Sequence, residues 1–267
     1  YADRLLEGLD KVAFSDAMKE MQTNWIGKSS GAEIDFAIAN TTHKIRVYTT
    51  RPDTLFGVDF MVLAPEHELA SQLASANQAK AVEEYIAWVK SRSERERMAE
   101  KKVSGVFTGA YAVHPFDPNR KVPIWLAEYV LAGYGTGAIM GVPCGDERDH
   151  RFATHFSIPI TNIVGELYTG ADAVTTKDAV LVNSGFLTGL PMNQAIEVAI
   201  QEVEKRGIGV RKVNYKMRDA AFSRQRYWGE PFPVAWDGET ARPLDLEKLP
   251  LELPKVDSYR PGPDGQG

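Results

Sequence analysis

Two aspartates, Asp146 and Asp149, stand three residues apart just past a glycine-rich stretch, in GYGTGAIMGVPCGDERDHRF from Gly133 to Phe152. If a helix begins here, Asp146 is its N-cap and Asp149 its third residue, and both carboxylates favour the positive end of the helix dipole. Capping alone would account for both. The same placement keeps them ionised, and an ionised carboxylate beside a narrow turn can hold a ligand ammonium. A carboxyl pair can also divide acid and base roles in a hydrolysis. A metal held by the two aspartates and His150 has less support, because no second histidine-rich cluster accompanies them. Nor do the glycines form a nucleotide fingerprint. Gly135 and Gly137 fit its first pair, but the third position is Met140, and no Gly-Lys-Ser/Thr follows. What remains is a tight packed turn or a close approach of backbone to a ligand, which spacing does not separate.

A second candidate is TTRPDT, from Thr49 to Thr54. The X-Pro bond turns the chain after a strand-like run. Three threonine hydroxyls can donate and accept, and Arg51 brings a forked donor suited to phosphate or carboxylate. A strand end with an Asp-containing turn would look the same. A third string, SRQRYWGEPFP from Ser223 to Pro233, reads as an Arg-aromatic ribbon. The single cysteine, Cys144, has Asp146, Glu147 and Asp149 around it, so it reads as a small turn residue and not a reactive thiol. His43, His67, His114 and His155 stand singly and read as structural or surface residues.

The elements that must position these groups follow from periodicity. Leu5, Leu6, Leu9 and Val12 share a helical face, and a second helix is predicted over Asp16 to Trp25 with Asp16 as its cap. GKSSG, at 27–31, reads as a hinge. AEIDFAIAN, HKIRVYTT, VDFMVLAP, VFTGAYAV and VPIWLAEYVL read as strands. Residues 77–102 read as a helix whose mixed-sign end is a solvated face. MNQAIEVAIQEVEKRG gives the strongest helix, with Ala195, Ile196, Ala199, Ile200 and Val203 on one face and Gly207 as its stop. VRKVNYKMRD follows as a strand or ribbon, and the tail from Trp236 shows little periodicity. These elements predict an α+β body over 31–210, flanked by segments 1–30 and 211–267. The net charge of −5 gives no general sign of nucleic-acid binding, though a local basic patch is not excluded. No apolar run reaches 18 residues, and one cysteine fits a reducing, cytoplasmic setting. The terminal residues, Tyr1 and the PGPDGQG end, suggest a piece of a longer protein.

Taken in order, WIGKSSG, TTRPDTLFG, GAYAVHPFDPNRKVPIWLAEYVLAGYGTGAIMGVP, GDERD and SRQRYWGEPFP resemble the editing domain of bacterial-type leucyl-tRNA synthetases, with its linkers to the catalytic core. Asp53 and the Leu-Phe-Gly that follows Thr54 favour the leucyl family over its valyl and isoleucyl relatives. The resemblance implies a β-barrel-like mixed-sheet domain with surrounding helices. Its implied activity is hydrolysis of the ester of mischarged tRNA-Leu (isoleucyl, norvalyl, valyl or similar) with exclusion of leucyl-tRNA. By similarity, Asp149 would bind the substrate ammonium, with Asp146 helping to hold substrate or order water. Thr49 and Thr50 would hold the ribose or the attacking water. Thr54 would gate the side-chain pocket, with Met140 and Val142 lining it, and Arg51 and Tyr134 would hold the terminal adenosine and its phosphate. Editing would need no metal or cofactor, ATP and magnesium serving only the parent synthetase. The partners would be the tRNA-Leu acceptor end and the rest of the synthetase in cis, in a monomeric cytoplasmic protein with no membrane contact. No His-Ile-Gly-His or Lys-Met-Ser-Lys-Ser signature is present, so this chain should not itself charge tRNA. One departure stands out: Gly145 occupies a position where the family usually has histidine. It motivates the alternative of a non-catalytic module that holds the acceptor end.

Overall fold

The computed structural model describes residues 1–92, 97, 103–132, 135–217, 233–252 and 255. They belong to two compact units, Tyr1–Tyr215 and Lys216–Gly267. The first opens with α1 (Ala2–Gly8) and α2 (Asp16–Ile26). Ser15, not Asp16, is the N-cap of α2: its backbone is extended and its hydroxyl accepts the Met18 N–H at 3.4 Å, which leaves Asp16 in the first turn. Gly27 ends the helix in the left-handed conformation.

The predicted hinge at 27–31 is instead mostly strand. β1 (Lys28–Ala37) already includes Lys28, Ser29, Ser30 and Gly31, because β7 (Gly209–Tyr215) pairs with them from Lys28↔Tyr215 onward. On its other edge β1 pairs with β2 (Lys44–Thr49), giving an antiparallel sheet of order β2-β1-β7. Ala32, Ile34 and Phe36 alternate into the core with Ile45 and Val47, while Glu33 and Asp35 meet Arg46, Lys44 and Lys212 on the opposite face. Gly31 is required by close approach: a Cβ there would lie 2.0 Å from the Thr49 carbonyl oxygen.

The second sheet has the order β4-β5-β3-β6, formed by β3 (Phe60–Leu63), β4 (Val106–His114), β5 (Asp117–Leu126) and β6 (Ala138–Gly141). β3 pairs parallel with β5 and antiparallel with β6. The predicted strand 122–131 ends at Leu126, where the chain turns, and the four-residue β6 was not foreseen as a strand. An Ile38↔Ala112 bridge ties the two sheets together, and among the described residues neither closes into a barrel. The chain is therefore a mixed α+β fold.

β3 explains how the core divides. Met61 and Leu63 join the main core beneath the first sheet, with Ile34, Phe36, Leu55, Ile124 and Leu126. Phe60 and Val62 point the other way and join Phe152 and Ala153 of a helix, Glu147–His155. The helix Glu147–His155 is α4, and two further helices, α3 (Ala79–Lys90) and α5 (Met192–Lys205), cover the body. α5 lays Ala195, Ala199, Ile200 and Val203 into the core against a 3-10 turn at Pro52–Gly57, as its periodicity predicted. The predicted helix 77–102 is seen over Ala79–Lys90, and most of its charged end lies outside the described residues. In the second unit, β8 (Val234–Asp237) and β9 (Thr240–Pro243) form a hairpin where no periodicity had been read. No helix among the described residues is long and apolar enough to cross a membrane.

Candidate functional site

The helix α4 forms where the two aspartates predicted one. Asp146 is its N-cap, with Oδ1 accepting the Arg148 N–H at 2.8 Å and the Asp149 N–H at 3.2 Å. Its direction is fixed by aromatic packing. Phe152 stacks on Phe60 with centroids 5.1 Å apart, and the Trp125 ring meets Phe152 and Phe156 at 5.6 and 4.6 Å. Asp149 lies three and four residues before Phe152 and Ala153, so it shares their buried face.

That placement overturns one expectation. A carboxylate at the third helical position should stay ionised, but Asp149 is only 6% exposed. Burial foremost, then the nearby charge of Asp146, push its pKa up to about 7. Three influences oppose the rise: the Val142 N–H donating to Oδ2 at 2.8 Å, the Tyr129 hydroxyl donating to Oδ1 at 3.2 Å, and the charge of Arg148. Desolvation exceeds them because a charge out of water loses more than two neutral donors return.

β2 ends at Thr49, and its close packing against Gly31 sets where the chain leaves the sheet. The Thr49 hydroxyl oxygen accepts the Arg51 N–H at 3.0 Å, and Thr50 is exposed. Pro52 then starts the 3-10 turn. Within it the Thr54 hydroxyl donates to the Arg51 carbonyl at 2.9 Å, so a methyl group is what this residue can present to a pocket. Thr54 is buried, as are Met140 on β6 and Val142 just after it. The turn abuts Val142: a Cβ on Gly57 would lie 3.2 Å from a Val142 methyl. Val142 therefore touches the threonine-bearing turn with its side chain and Asp149 with its backbone. β2 also packs on β6. The fold thus brings the turn that carries Thr54 to Val142, and Val142 to Asp149, while β2, which ends at Thr49, lies against β6, which carries Met140.

Arg51 has a partner that sequence reading did not assign. Its Nε and Nη2 grip Asp53 at 2.8–3.2 Å, Nη2 also reaches the Met192 sulfur at 3.2 Å, and Asp53 is fully buried. The i, i+2 spacing of Arg51 and Asp53 across a proline turn was the available signal. Tyr129, the partner of Asp149, carries no such signal, being 20 residues distant in sequence. His150 is buried, with Nε2 3.3 Å from the Tyr168 hydroxyl. His114 is structural as expected, its Nε2 3.0 Å from the Leu55 carbonyl oxygen. Tyr134 and all of the SRQRYWGEPFP string but Pro233 lie outside the described residues. At Gly145 a Cβ would meet nothing closer than 3.7 Å, so no crowding demands glycine there.

The α+β body thus places a buried carboxylate at the start of α4 and a buried 3-10 turn carrying Thr54 against Val142. Residues 23–204 match the family model described as "Leucyl-tRNA synthetase, editing domain", and the chain belongs to that family. Among curated relatives, it is 52% identical to a leucine–tRNA ligase of Christiangramia forsetii and 50% identical to that of Amoebophilus asiaticus, in each case over its whole length. It spans 28% and 29% of those two proteins. Of solved structures, it resembles the Agrobacterium radiobacter K84 agnB2 LeuRS in a ternary complex with tRNA and LeuAMS. The TM-score is 0.72 at 33% identity, covering 95% of this chain and 29% of that one.

Proposed function

We propose that this chain is the post-transfer editing domain of a leucine–tRNA ligase, hydrolysing the ester of mischarged tRNA-Leu and sparing leucyl-tRNA. The observation that carries the reading is Asp149, a buried carboxylate that accepts the Val142 N–H, in a chain of the editing family. The chemistry calls for such a second site. One methylene more or less discriminates by only about 1–3 kcal/mol in a synthetic pocket, so near-isosteres of leucine slip through and must be removed afterwards.

On this reading, ionised Asp149 takes the substrate α-ammonium and Asp146 helps to hold the substrate or order water. Thr54, Met140 and Val142 shape a pocket that refuses the leucine side chain. Thr49 and Thr50 hold the ribose or the attacking water near the ester carbonyl, where positioning a labile ester supplies much of the rate. Arg51, with Nε and Nη2 engaged by Asp53, offers its Nη1 edge to the terminal adenosine or its phosphate, and Tyr134 joins it. The domain works with the rest of the synthetase in cis on the tRNA-Leu acceptor end. It acts as part of a cytoplasmic monomer, without a cofactor of its own; ATP and magnesium serve aminoacylation elsewhere in the parent enzyme.

The test is deacylation of isoleucyl-tRNA-Leu by the full-length protein beside Asp149→Ala and Thr54→Ala. Asp149→Ala should lower turnover by about a hundredfold or more; unchanged turnover refutes the assignment. Thr54→Ala should begin to cleave leucyl-tRNA. If that variant spares the cognate ester while cleaving the isoleucyl one, Thr54 is not the gate.

A further inference from the structure

We propose that Tyr129 is a positioning residue for Asp149, and that a buried grip of Arg97 on the backbone either side of Tyr129 holds it in place. The inference rests on the editing reading only for what the carboxylate binds; the geometry is independent of it.

Tyr129 follows the end of β5, and its hydroxyl donates to Asp149 Oδ1 at 3.2 Å. Its ring tilts against Phe152 at 5.7 Å, the side chain that also orients α4. Donor and acceptor are thus registered against the same ring. The residues before and after Tyr129 are both held by one guanidinium. Arg97 donates to the Glu128 carbonyl from Nη2 at 2.8 Å and from Nε at 3.2 Å, and to the Val130 carbonyl from Nη2 at 3.2 Å. Its Nη1 meets Glu66 Oε1 at 2.5 Å. The Glu128 side chain extends the grip: Oε1 accepts from Ser104 at 2.6 Å and Oε2 from Arg92 at 2.5 Å. The Glu128 N–H donates to the Tyr85 hydroxyl at 3.0 Å. The Glu128 carbonyl belongs to the peptide entering Tyr129, and the peptide leaving it is held by the Val130 N–H, which donates to the Ala127 carbonyl at 3.3 Å, so both Tyr129 peptide planes have little freedom.

Arg97 and Glu128 are 6% and 4% exposed. Buried ion pairs contribute little net stability, because desolvation offsets the attraction. A network of that kind closed around one tyrosine is better explained by the position it fixes. The electrostatics agree. Asp146 and Arg148 face Asp149 from its own helix, the Val142 N–H from the end of β6, and Tyr129 from the segment after β5. Burial, and then the charge of Asp149, push the Tyr129 phenol well above its ordinary value, so it remains a donor. Its hydrogen bond favours the charged carboxylate.

The experiment is the pH dependence of kcat/KM for deacylation of isoleucyl-tRNA-Leu by the full-length protein, with Tyr129→Phe and Arg97→Lys. In parallel, the Asp149 carboxyl is titrated by carbon NMR in this chain. For Tyr129→Phe the acid limb and the carboxyl midpoint should both rise by about one pH unit. At pH 7 that is about a fivefold loss of kcat/KM, recovered above about pH 8.5. A loss equal at every pH, or an unmoved carboxyl midpoint, overturns the proposal. Arg97→Lys should raise the same midpoint in the parent and add nothing in the Tyr129→Phe background; an added shift there overturns the grip. If the parent protein deacylates nothing, the functional reading fails, and the carboxyl titration still decides the role of Tyr129.

Discussion

Asp149→Asn should stabilise the fold at neutral pH. The pKa of Asp149 stands at about 7 against an ordinary 3.8. The folded chain therefore keeps a proton between about pH 4 and 7 that the unfolded chain has released, and this residue's contribution to stability falls as pH rises through that window. The difference is about 3 pH units, so full ionisation costs about 4 kcal/mol above pH 7. Asparagine removes the charge and keeps an acceptor for the Val142 N–H, but its amide must replace the carboxylate that accepts from Tyr129, which returns about 1–2 kcal/mol. The net expectation is a gain of about 1–3 kcal/mol at pH 7.5 and none at pH 4.5. Urea unfolding at the two pH values, read through hydrogen exchange of the β3 and β6 amides, measures it. A variant less stable than the parent at pH 7.5 would refute the argument, for it would mean that the helix terminus outweighs burial. His114 acts in the opposite sense. Burial holds its pKa at about 4, so its contribution falls as pH drops from about 6.5 to 4. The two slopes oppose each other in the parent, and Asp149→Asn should leave the histidine slope less opposed.

Two further perturbations test the placement of the other site residues. Gly31→Ala puts a methyl group 2.0 Å from the Thr49 carbonyl oxygen, so β1 and β2 must separate locally; a loss of about 2–4 kcal/mol is expected in urea unfolding, with deacylation reduced further than stability explains. Gly145→His meets only ordinary contacts at 3.7 Å and no left-handed backbone, so stability should change by no more than about 0.5 kcal/mol. If the usual histidine contacts the terminal adenosine, the variant should lower KM for mischarged tRNA with kcat unchanged.

Elements with strong periodicity were legible. β1, β2, β3 and α5 each carry enough alternating or helical apolar positions for burial on one side to decide them. Misreadings came where a distant partner decides. Ser29, Ser30 and Gly31 resemble a hinge locally and become strand because Asn214, Val213 and Lys212 pair with them across the sequence. β6 is four residues long, and its pairing with β3 settles it. The β8–β9 hairpin turns at Gly238 and Glu239, a local signal outweighed by the prolines and acids around it. In the candidate site, the helix start at Asp146 and the threonine-bearing turn could be read from the chain, the Arg51–Asp53 pair left only its i, i+2 spacing as a signal, and Tyr129 needed the fold.

Asp149 shows where local rules misjudge a pKa. Capping and dipole arguments see only the first turn of α4, where a carboxylate belongs and stays ionised. The helix also has a buried face, set by Phe152 and Ala153, and the third position falls on it. The dipole contributes at most about 1–2 kcal/mol, less than the desolvation of a carboxylate that receives only two hydrogen bonds. On the proposed function this imbalance is useful. Among the described residues no cationic side chain pairs directly with Asp149, and the substrate ammonium would supply such a partner. An ester whose amine is acylated would bring no such charge and would leave the carboxyl about half protonated near pH 7. N-acetyl-isoleucyl-tRNA should therefore be a poor substrate for the parent protein, and should lose little further when Asp149 becomes asparagine. If the N-acetyl ester were cleaved as readily as the free amine, charge recognition by Asp149 would be excluded.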